Sequence, residues 1–347
     1  MNFIPFTMRY AFLIIVLMVS CSKNVKPINF TSVAVSDIYT DSLSIRAIEI
    51  MGNSLAFAAN KGTFGAVDLS TGKVRANIQK YHTVIPEFRA VAHTSSDFFM
   101  LSVGTPALLY KTGGNGRMEL VYKEEGEGVF YDALTFLNDK DGIAVGDSVD
   151  GCLSIIITSD GGTTWSKIPC SQLPAGIEGE GAFAASNTNI VTVGDEIWVA
   201  TTSGRIFHST DKGEKWDVTK TPLRSEEPSE GIYSIAFYNQ NLGVAIGGDY
   251  TNPDNTIANK IITKDGGKTW RLLADGKKPA YKSCIQFVPG TNGNGIVAVG
   301  FNGISYSSDM GVTWKELSKE SFYTLRFQND SVAYAAGKNR ISKLIFR

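Results

Sequence analysis

The sequence lacks the residues and patterns on which most metal, nucleotide and nucleic-acid sites depend. It has 3 histidines, all isolated and without metal-ligand spacing, and its formal net charge of -1 provides no basic surface for nucleic acid. No glycine-rich phosphate loop opens a helix, and no G-x-S-x-G elbow occurs. We therefore expect no metal site, no cofactor and no nucleic-acid partner.

Long hydrophobic runs are also missing, apart from a short one at residues 11–19 that follows Arg9. About nine or ten apolar residues are too few to span a bilayer, and this arrangement is typical of a targeting segment. The run ends in Ser20 and Cys21, which resembles a bacterial lipobox with Met18 in place of the usual Leu. An ordinary secretory signal with an incidental Cys is the alternative.

This N-terminal pattern predicts a signal peptide over residues 1–20, lipidation of Cys21 and a tether over residues 21–28. The mature protein is then expected in the bacterial cell envelope, anchored by lipid in the periplasm or at the outer membrane.

What the sequence has in abundance is glycine, 35 residues in all, and one glycine-containing pattern recurs. Ser/Thr-x-Asp-x-Gly-x-x-Trp occurs four times, with successive copies roughly 45 to 55 residues apart, the size of a four-stranded blade. The glycine supplies a positive φ, and the Trp buries a large apolar area. The recurring aspartates and tryptophans are Asp160, Trp165, Asp211, Trp216, Asp265, Trp270, Asp309 and Trp314.

This pattern resembles the Asp-box, or BNR repeat, of sialidases and of the photosystem II assembly and stability factor family. The resemblance implies a β-propeller in which each box lies in the hairpin between the third and fourth strands of a blade, where its role is structural; calcium or sugar binding is the alternative. Over the mature chain the sequence is similar to the photosystem II assembly factor-like propellers and their exported bacterial relatives, through the boxes, the second strands at 142–146 and 243–247, and residues 180–186 and 247–250. That similarity implies a non-catalytic scaffold for a protein or another macromolecule.

Apolar strands at blade spacing predict one all-β domain over residues 29–347, a seven-bladed β-propeller with six blades as the alternative. The last repeat has three strands, so residues 29–36 are expected to supply its fourth and close the ring. In the fourth repeat we expect residues 182–185 as the inner strand, although residues 190–193 offer a further apolar run. Blades one and two carry degenerate boxes at 68–73 and 111–117. Inner strands are expected to begin at Ile45, Arg89, Tyr131, Ala182, Tyr233, Cys284 and Tyr323.

Alternating strand directions place the inner-strand starts and the loops between second and third strands on one face, opposite the boxes. Charged and aromatic side chains at such a concave channel mouth favour ligand binding, of a protein or a glycan, by a monomeric propeller. A solvated mouth with no ligand is the alternative. The candidate binding residues are Arg46, Arg89, Asp132, Glu180, Tyr233, Asp249, Tyr250, Lys282 and Tyr323.

A sialidase-like glycoside hydrolase is the alternative function. Such an enzyme needs three arginines around a carboxylate, a Tyr nucleophile with a Glu partner, and an acid/base Asp. The Arg-Ile-Pro signature of sialidases is absent, so no catalytic residue is assigned. The residues available for these roles are Arg46, Arg89, Arg205, Tyr233, Glu180 and Asp132.

Cys152 and Cys170 are equally distant in sequence from Gly161, at the turn of the box hairpin in the third repeat. Antiparallel partners equidistant from a turn face each other, and an exported protein is oxidised. We expect a disulfide between them, with two buried thiols as the alternative, and Cys284 as a small core residue.

Overall fold

The computed structural model describes residues 28–114 and 116–347, and antiparallel strands make up nearly all of its regular structure. Seven separate sheets follow one another along the chain and form a ring, so the predicted seven-bladed β-propeller is confirmed. Residues 28–114 and 116–347 include one short 3-10 turn, Cys170–Gln172, and no helix long and apolar enough to cross a bilayer. The predicted signal peptide and the lipidation site Cys21 lie outside the described residues.

Strand β1 (Val33–Ser44) precedes the first blade. Blades one to three each contain four strands, numbered from the channel outward. Blade one has β2 (Ala47–Met51), β3 (Ser54–Ala58), β4 (Thr63–Asp68) and β5 (Val74–Ile78). Blade two has β6 (Phe88–His93), β7 (Phe98–Ser102), β8 (Ala107–Thr112) and β9 (Met118–Glu124). Blade three has β10 (Tyr131–Phe136), β11 (Gly142–Val149), β12 (Cys152–Thr158) and β13 (Ser166–Lys167).

Blades four to six repeat this order, and blade seven adds two strand ranges. Blade four has β14 (Ile190–Val193), β15 (Glu196–Ala200), β16 (Arg205–Ser209) and β17 (Asp217–Lys220). Blade five has β18 (Ile232–Phe237), β19 (Gly243–Gly247), β20 (Lys260–Thr263) and β21 (Arg271–Leu272). Blade six has β22 (Cys284–Phe287), β23 (Ile296–Gly300), β24 (Gly303–Ser307) and β25 (Lys315–Ser318), and blade seven has β26 (Thr324–Phe327) and β27 (Val332–Phe346).

The core is a ring of apolar layers between neighbouring blades. Second strands such as β7, β19 and β23 are buried at every residue, whereas both residues of the outer strand β13 are exposed. One layer packs Ile155 of blade three against Val199 and Phe207 of blade four. Because each blade buries its faces on its two neighbours, a single domain of this length needs no central core.

The ring closes through β1, which pairs antiparallel with β27 from Val33 opposite Phe346 to Ser44 opposite Lys338. Strand β27 reverses direction at Asn339, which has a φ of 68°, and the N–H of Phe346 returns to donate to the carbonyl of Ser331 at 2.8 Å. Together with β26, the two halves of β27 and β1 make four strands. The predicted closure by an N-terminal strand is confirmed, although the strand runs later than residues 29–36.

The four hairpins that carry the Ser/Thr-x-Asp-x-Gly-x-x-Trp pattern, which we call boxes, join the third and fourth strands of blades three to six. In blade three, Asp160 accepts from the backbone N–H of Thr164 at 3.0 Å, and the indole N–H of Trp165 donates to the carbonyl of Gly162 at 3.2 Å. Equivalent bonds recur in the other three boxes. Each box is therefore closed by its own polar groups. In blade three, the hydrogen bonds from Thr164 lower the pKa of Asp160 to about 2.

The predicted inner strand of blade four, residues 182–185, is wrong. The inner strand is β14, in which Ile190 pairs with Val199 of β15 and Val193 with Glu196. Residues 182–185 are apolar, and three of them are buried and Phe183 is half-buried, as in a strand, but they belong to the long connection from β13 to β14. They are shielded from solvent because they lie inside the central channel and not because they pack in a sheet.

Candidate functional site

Residues 182–189, which we call the channel segment, lie inside the central channel and connect inner strands of different blades. The side chain of Asn187 donates to the carbonyl of Val91 at 2.7 Å and accepts from the N–H of Leu134 at 2.9 Å. The hydroxyl of Ser186 donates to the carbonyl of Ser283 at 2.6 Å. The segment therefore links blades two, three and six and separates the two ends of the channel.

On the predicted binding face, the channel segment forms the floor of a cavity of about 460 Å³, which we call the mouth cavity. Five of the nine candidate binding residues line it, contributed by blades one, two, five and seven. The spacing of the repeats thus brings distant residues to one place. The lining residues are Arg46, Arg89, Phe183, Ala184, Ala185, Tyr233, Tyr250, Tyr281, Phe301 and Tyr323.

β-Bulges place several of the candidate side chains. The pairing of the inner strand with the second strand skips Arg89 in β6, Asp132 in β10 and Tyr233 in β18. A bulge adds one residue without a partner and re-aims its side chain. A bulge at the start of each of these three inner strands therefore moves the side chain out of the alternation between the two faces of the sheet.

Two guanidinium groups give the mouth cavity its charge. Arg46 lies 4.3 Å above the ring of Tyr323 and donates to the carbonyl of Ala185 at 3.4 Å, while its buried Nε finds no acceptor among the described residues. Burial and the neighbouring Arg89 lower the pKa of Arg46. Arg89 is paired with Glu87 at 2.8 Å, and no carboxylate is among the described lining residues. This arrangement favours an anionic ligand group.

Aromatic rings form the wall and rim of the mouth cavity. Phe183 of the channel segment stacks on Tyr233 with centroids 3.7 Å apart, and Tyr281 stacks on Phe301 at 5.0 Å. At the rim, Tyr250 is 52% exposed and Phe301 is 39% exposed. Large exposed rings beside a concave surface can take up an apolar or aromatic side chain with little ordering cost.

Three candidate residues do not line the mouth cavity, because their polar groups are already bound elsewhere. Buried Glu180 is held by Arg205, whose Nε donates to it at 2.9 Å. Lys282 donates to Asn302 at 2.7 Å, and burial lowers its pKa to about 8. Asp249 accepts from the backbone N–H two residues on at 2.8 Å and closes an exposed turn.

Asp132 also lies outside the cavity lining and is fully buried beside Asp147. Neither carboxyl oxygen of Asp132 accepts a hydrogen bond from a described N–H or O–H group, whereas Asp147 accepts from the N–H of Ala182 at 3.2 Å. Burial and the charge of Asp147 raise the pKa of Asp132 well above its ordinary value. Burial and the nearby like charge therefore both disfavour the charged form of Asp132.

The groups that a sialidase-like mechanism needs are not brought together in the mouth cavity. The hydroxyl of Tyr233 donates to the carbonyl of Ser229 at 2.8 Å, and burial raises the pKa of this tyrosine. Glu180 and Asp132 lie outside the lining. The described chain also has no cluster of three or more His, Cys, Asp and Glu side chains suited to a metal ion. The cavity is therefore better equipped for binding than for glycoside cleavage.

Cys152 and Cys170 form a disulfide with Cα atoms 5.5 Å apart. Cys170 lies in the short turn after β13 and not at the end of the fourth strand, as the equal spacing from Gly161 suggested. The bond ties the start of β12 to the connection that leads into the channel segment. Cys284 is buried and free.

Five lining residues are not among the candidates from the sequence, and they are Phe183, Ala184, Ala185, Tyr281 and Phe301. Phe183 lies in the predicted inner strand 182–185, Tyr281 lies three residues before the predicted inner strand that begins at Cys284, and Phe301 lies in the turn between β23 and β24. The clearest available signal was the position of Tyr281 and Phe301 in connections on the predicted binding face.

The family model described as the DUF6242 β-propeller domain matches residues 187–343. The comparison with curated proteins found no match. Among solved structures, YCF48 bound to a D1 peptide has a TM-score of 0.64 and 13% identity, covering 92% of this chain and 98% of that chain. YCF48 from Cyanidioschyzon merolae has a TM-score of 0.62 and 14% identity, covering 90% and 98%.

The WD40 repeats of RRP9 have a TM-score of 0.66 and 11% identity, covering 92% of this chain and 100% of that chain. All three identities are low, and proteins with different functions share this fold. What the comparisons identify is the fold of this chain, a β-propeller.

Proposed function

We propose that this chain is a non-catalytic scaffold that binds a segment of a partner protein in the mouth cavity. The observation that carries the proposal is the cavity itself, in which Arg46 and Arg89 face an open, aromatic-lined space without a carboxylate among its described lining residues. The structure of YCF48 with a D1 peptide supports it, because in that structure a propeller of the same fold is bound to a peptide.

The lining favours a peptide that presents a carboxylate beside an apolar or aromatic side chain. A carboxylate would meet the guanidiniums of Arg46 and Arg89, and the rings of Tyr250 and Phe301 would cover the neighbouring side chain. A hydrogen bond to a charged group contributes about 2 kcal/mol, so the loss of one arginine would weaken binding about thirtyfold.

The test is a cross-linked pull-down from the native envelope with wild type and with the double variant Arg46→Gln/Arg89→Gln. Lys264→Gln/Lys268→Gln is the matched control, since it removes the same charge from exposed positions on the opposite face. We expect wild type and control to capture the same partner and the arginine variant to lose it. Equal capture by all three proteins, with unchanged circular dichroism, would reject the mouth cavity as the binding site.

We further propose that the protein is exported and anchored by lipid at Cys21, in the bacterial cell envelope. The basic, apolar and small-residue pattern that ends at Cys21 supports this proposal. The Cys21→Ser variant is expected to lose the acyl mass from its N-terminal peptide and to move from the membrane to the soluble fraction. Wild type without an acylated N-terminal peptide would contradict the anchor.

A further inference from the structure

The space between neighbouring blades is filled on the box face by one large aromatic side chain in four places. Trp165 packs into the layer between blades two and three, 5.8 Å from the ring of Phe136. Trp216, Trp270 and Trp314 occupy the corresponding layers up to blade six. Each Trp immediately precedes the fourth strand of its blade. In blade three, the residue after Trp165 is Ser166, which pairs with Ile157 of the third strand.

Between blades six and seven, where blade seven carries no box, another part of the chain supplies the aromatic ring. Phe30, from the segment before β1, lies 4.8 Å from Tyr306 and 5.0 Å from Phe346, measured between centroids. In this layer, therefore, a ring from a different part of the chain takes the place of the missing box Trp.

Among the described residues, no Trp of a box and no ring from another part of the chain fills the corresponding position between blades one and two. At the base of the hairpin between β8 and β9, Thr112 pairs with Met118, so Met118 stands where the other blades place Trp. A cleft of about 620 Å³ is open there, which we call the blade 1–2 cleft. Its apolar lining includes Met51, Phe64, Phe98 and Met118.

The rim of the blade 1–2 cleft is cationic. Arg75 lines it and is exposed, and its guanidinium has no hydrogen-bond or ion-pair partner among the described residues. Lys73 lines an adjoining cavity of about 150 Å³ together with Arg75. The nearby carboxylate of Asp68 accepts from the N–H groups of Ser70 and Thr71 and is thereby committed to its turn.

We propose that the blade 1–2 cleft docks a segment of a partner protein that inserts one aromatic side chain and places a neighbouring carboxylate against Arg75. The aromatic ring takes the position that Trp occupies in four other layers of this molecule. The cationic rim selects the acidic neighbour by charge complementarity. This surface lies on the box face, so it is separate from the mouth cavity and can be occupied together with it.

Methionine methyl groups report on this cleft directly. The full chain, labelled at methionine methyl carbons, is titrated with the peptide Gly-Asp-Trp-Gly and followed by NMR. Met51 and Met118 line the cleft, whereas Met310 lies in the box of blade six and serves as the internal reference. The mouth cavity has no described methionine in its lining, so binding there leaves these signals in place. We expect saturable shifts at Met51 and Met118 and none at Met310.

Two variants make the test specific. Arg75→Gln is expected to remove the preference, at least threefold, for Gly-Asp-Trp-Gly over Gly-Asn-Trp-Gly. Met118→Trp is expected to fill the cleft, abolish the shift at Met51 and raise the melting temperature, with unchanged circular dichroism.

No shift at Met51 and Met118 at millimolar peptide, or equal shifts at Met310, would overturn the proposal. Shifts with free indole-3-acetate but not with the peptide would also overturn it, because the cleft would then bind a small acid and not a protein segment.

Discussion

The two faces of the propeller are formed by opposite ends of the same strands, yet they differ in how their polar groups are satisfied. On the box face, Asp160 and its three counterparts accept hydrogen bonds within their own hairpins. On the mouth face, the Nε of Arg46 and both carboxyl oxygens of Asp132 have no such partner among the described residues. The repeated hairpins satisfy their own polar groups, whereas unsatisfied groups on the mouth face lie in the mouth cavity, at Arg46, or outside its lining, at Asp132.

The blade 1–2 cleft shows the same contrast within the box face. Where the box is complete, as in blade three, an indole fills the space between blades; beside the degenerate box of blade two, an open apolar cleft with a cationic rim remains. A departure from the repeat therefore leaves surface that the fold itself does not use.

The largest expected effect compares the same position in two blades. Trp165→Ala removes a nearly buried indole and its hydrogen bond, and should lower the free energy of unfolding by about 3 to 5 kcal/mol. Met118→Ala, at the half-buried equivalent position, should cost about 1 kcal/mol. Urea unfolding of the two variants measures both values. Equal losses would mean that Met118 fills its layer as completely as Trp165 does.

A change at the mouth face should have a pH dependence that identifies the buried carboxyl pair. The pKa of Asp132 is raised above its ordinary 3.8 by burial and by Asp147, with smaller opposing effects from the nearby backbone N–H of Ala182 and from Arg89. The folded state thus keeps a proton that the unfolded state releases, and stability present below about pH 4 is lost as the pH rises. Asp132→Asn should raise the melting temperature at pH 8 by a few degrees and change it little at pH 4.

Melting curves from pH 4 to pH 8 provide this measurement. A variant that melts below wild type at pH 8 would show that the carboxylate of Asp132 is stabilised in a way that the buried pair does not explain.

The smallest effect is expected in a box, with the opposite sign of pH dependence. Hydrogen bonds lower the pKa of Asp160 to about 2, so its contribution is present above the ordinary pKa and is lost as the pH falls towards 2. Asp160→Asn should lower the free energy of unfolding by about 1 kcal/mol at pH 7 and by less at pH 3. Denaturant titrations at the two pH values test this, and a difference that grows at pH 3 would contradict it.

The boxes and the ring closure could be read from the sequence for identifiable reasons. In each box, the hydrogen-bonding partners lie within eight residues of one another, so Asp160, Gly162 and Trp165 are recognisable as a unit. The strand count gave the last repeat only three strands and left one strand unused at the N-terminus. Antiparallel pairing of β1 with β27 joins them and leaves no exposed edge between them.

The candidate site could be predicted in part. Inner-strand starts placed Arg46, Arg89 and Tyr323 at one mouth because strand direction alternates in every blade. The channel segment could not be predicted in this way, since residues 182–185 have the same apolar pattern whether they pack in a sheet or in a channel. The period of apolar residues indicates that a residue is buried, but it does not indicate which part of the protein that residue packs against.

By itself, the sequence determined the repeat, the number of blades and the face on which unrepeated charged and aromatic residues lie, because these follow from local hydrogen bonds and from the period of the chain. Tertiary structure decided which of those residues share a cavity, that the connection after β13 closes the channel, and that the space beside Met118 is open. Such features depend on contacts between residues far apart in sequence, and no local pattern specifies those contacts.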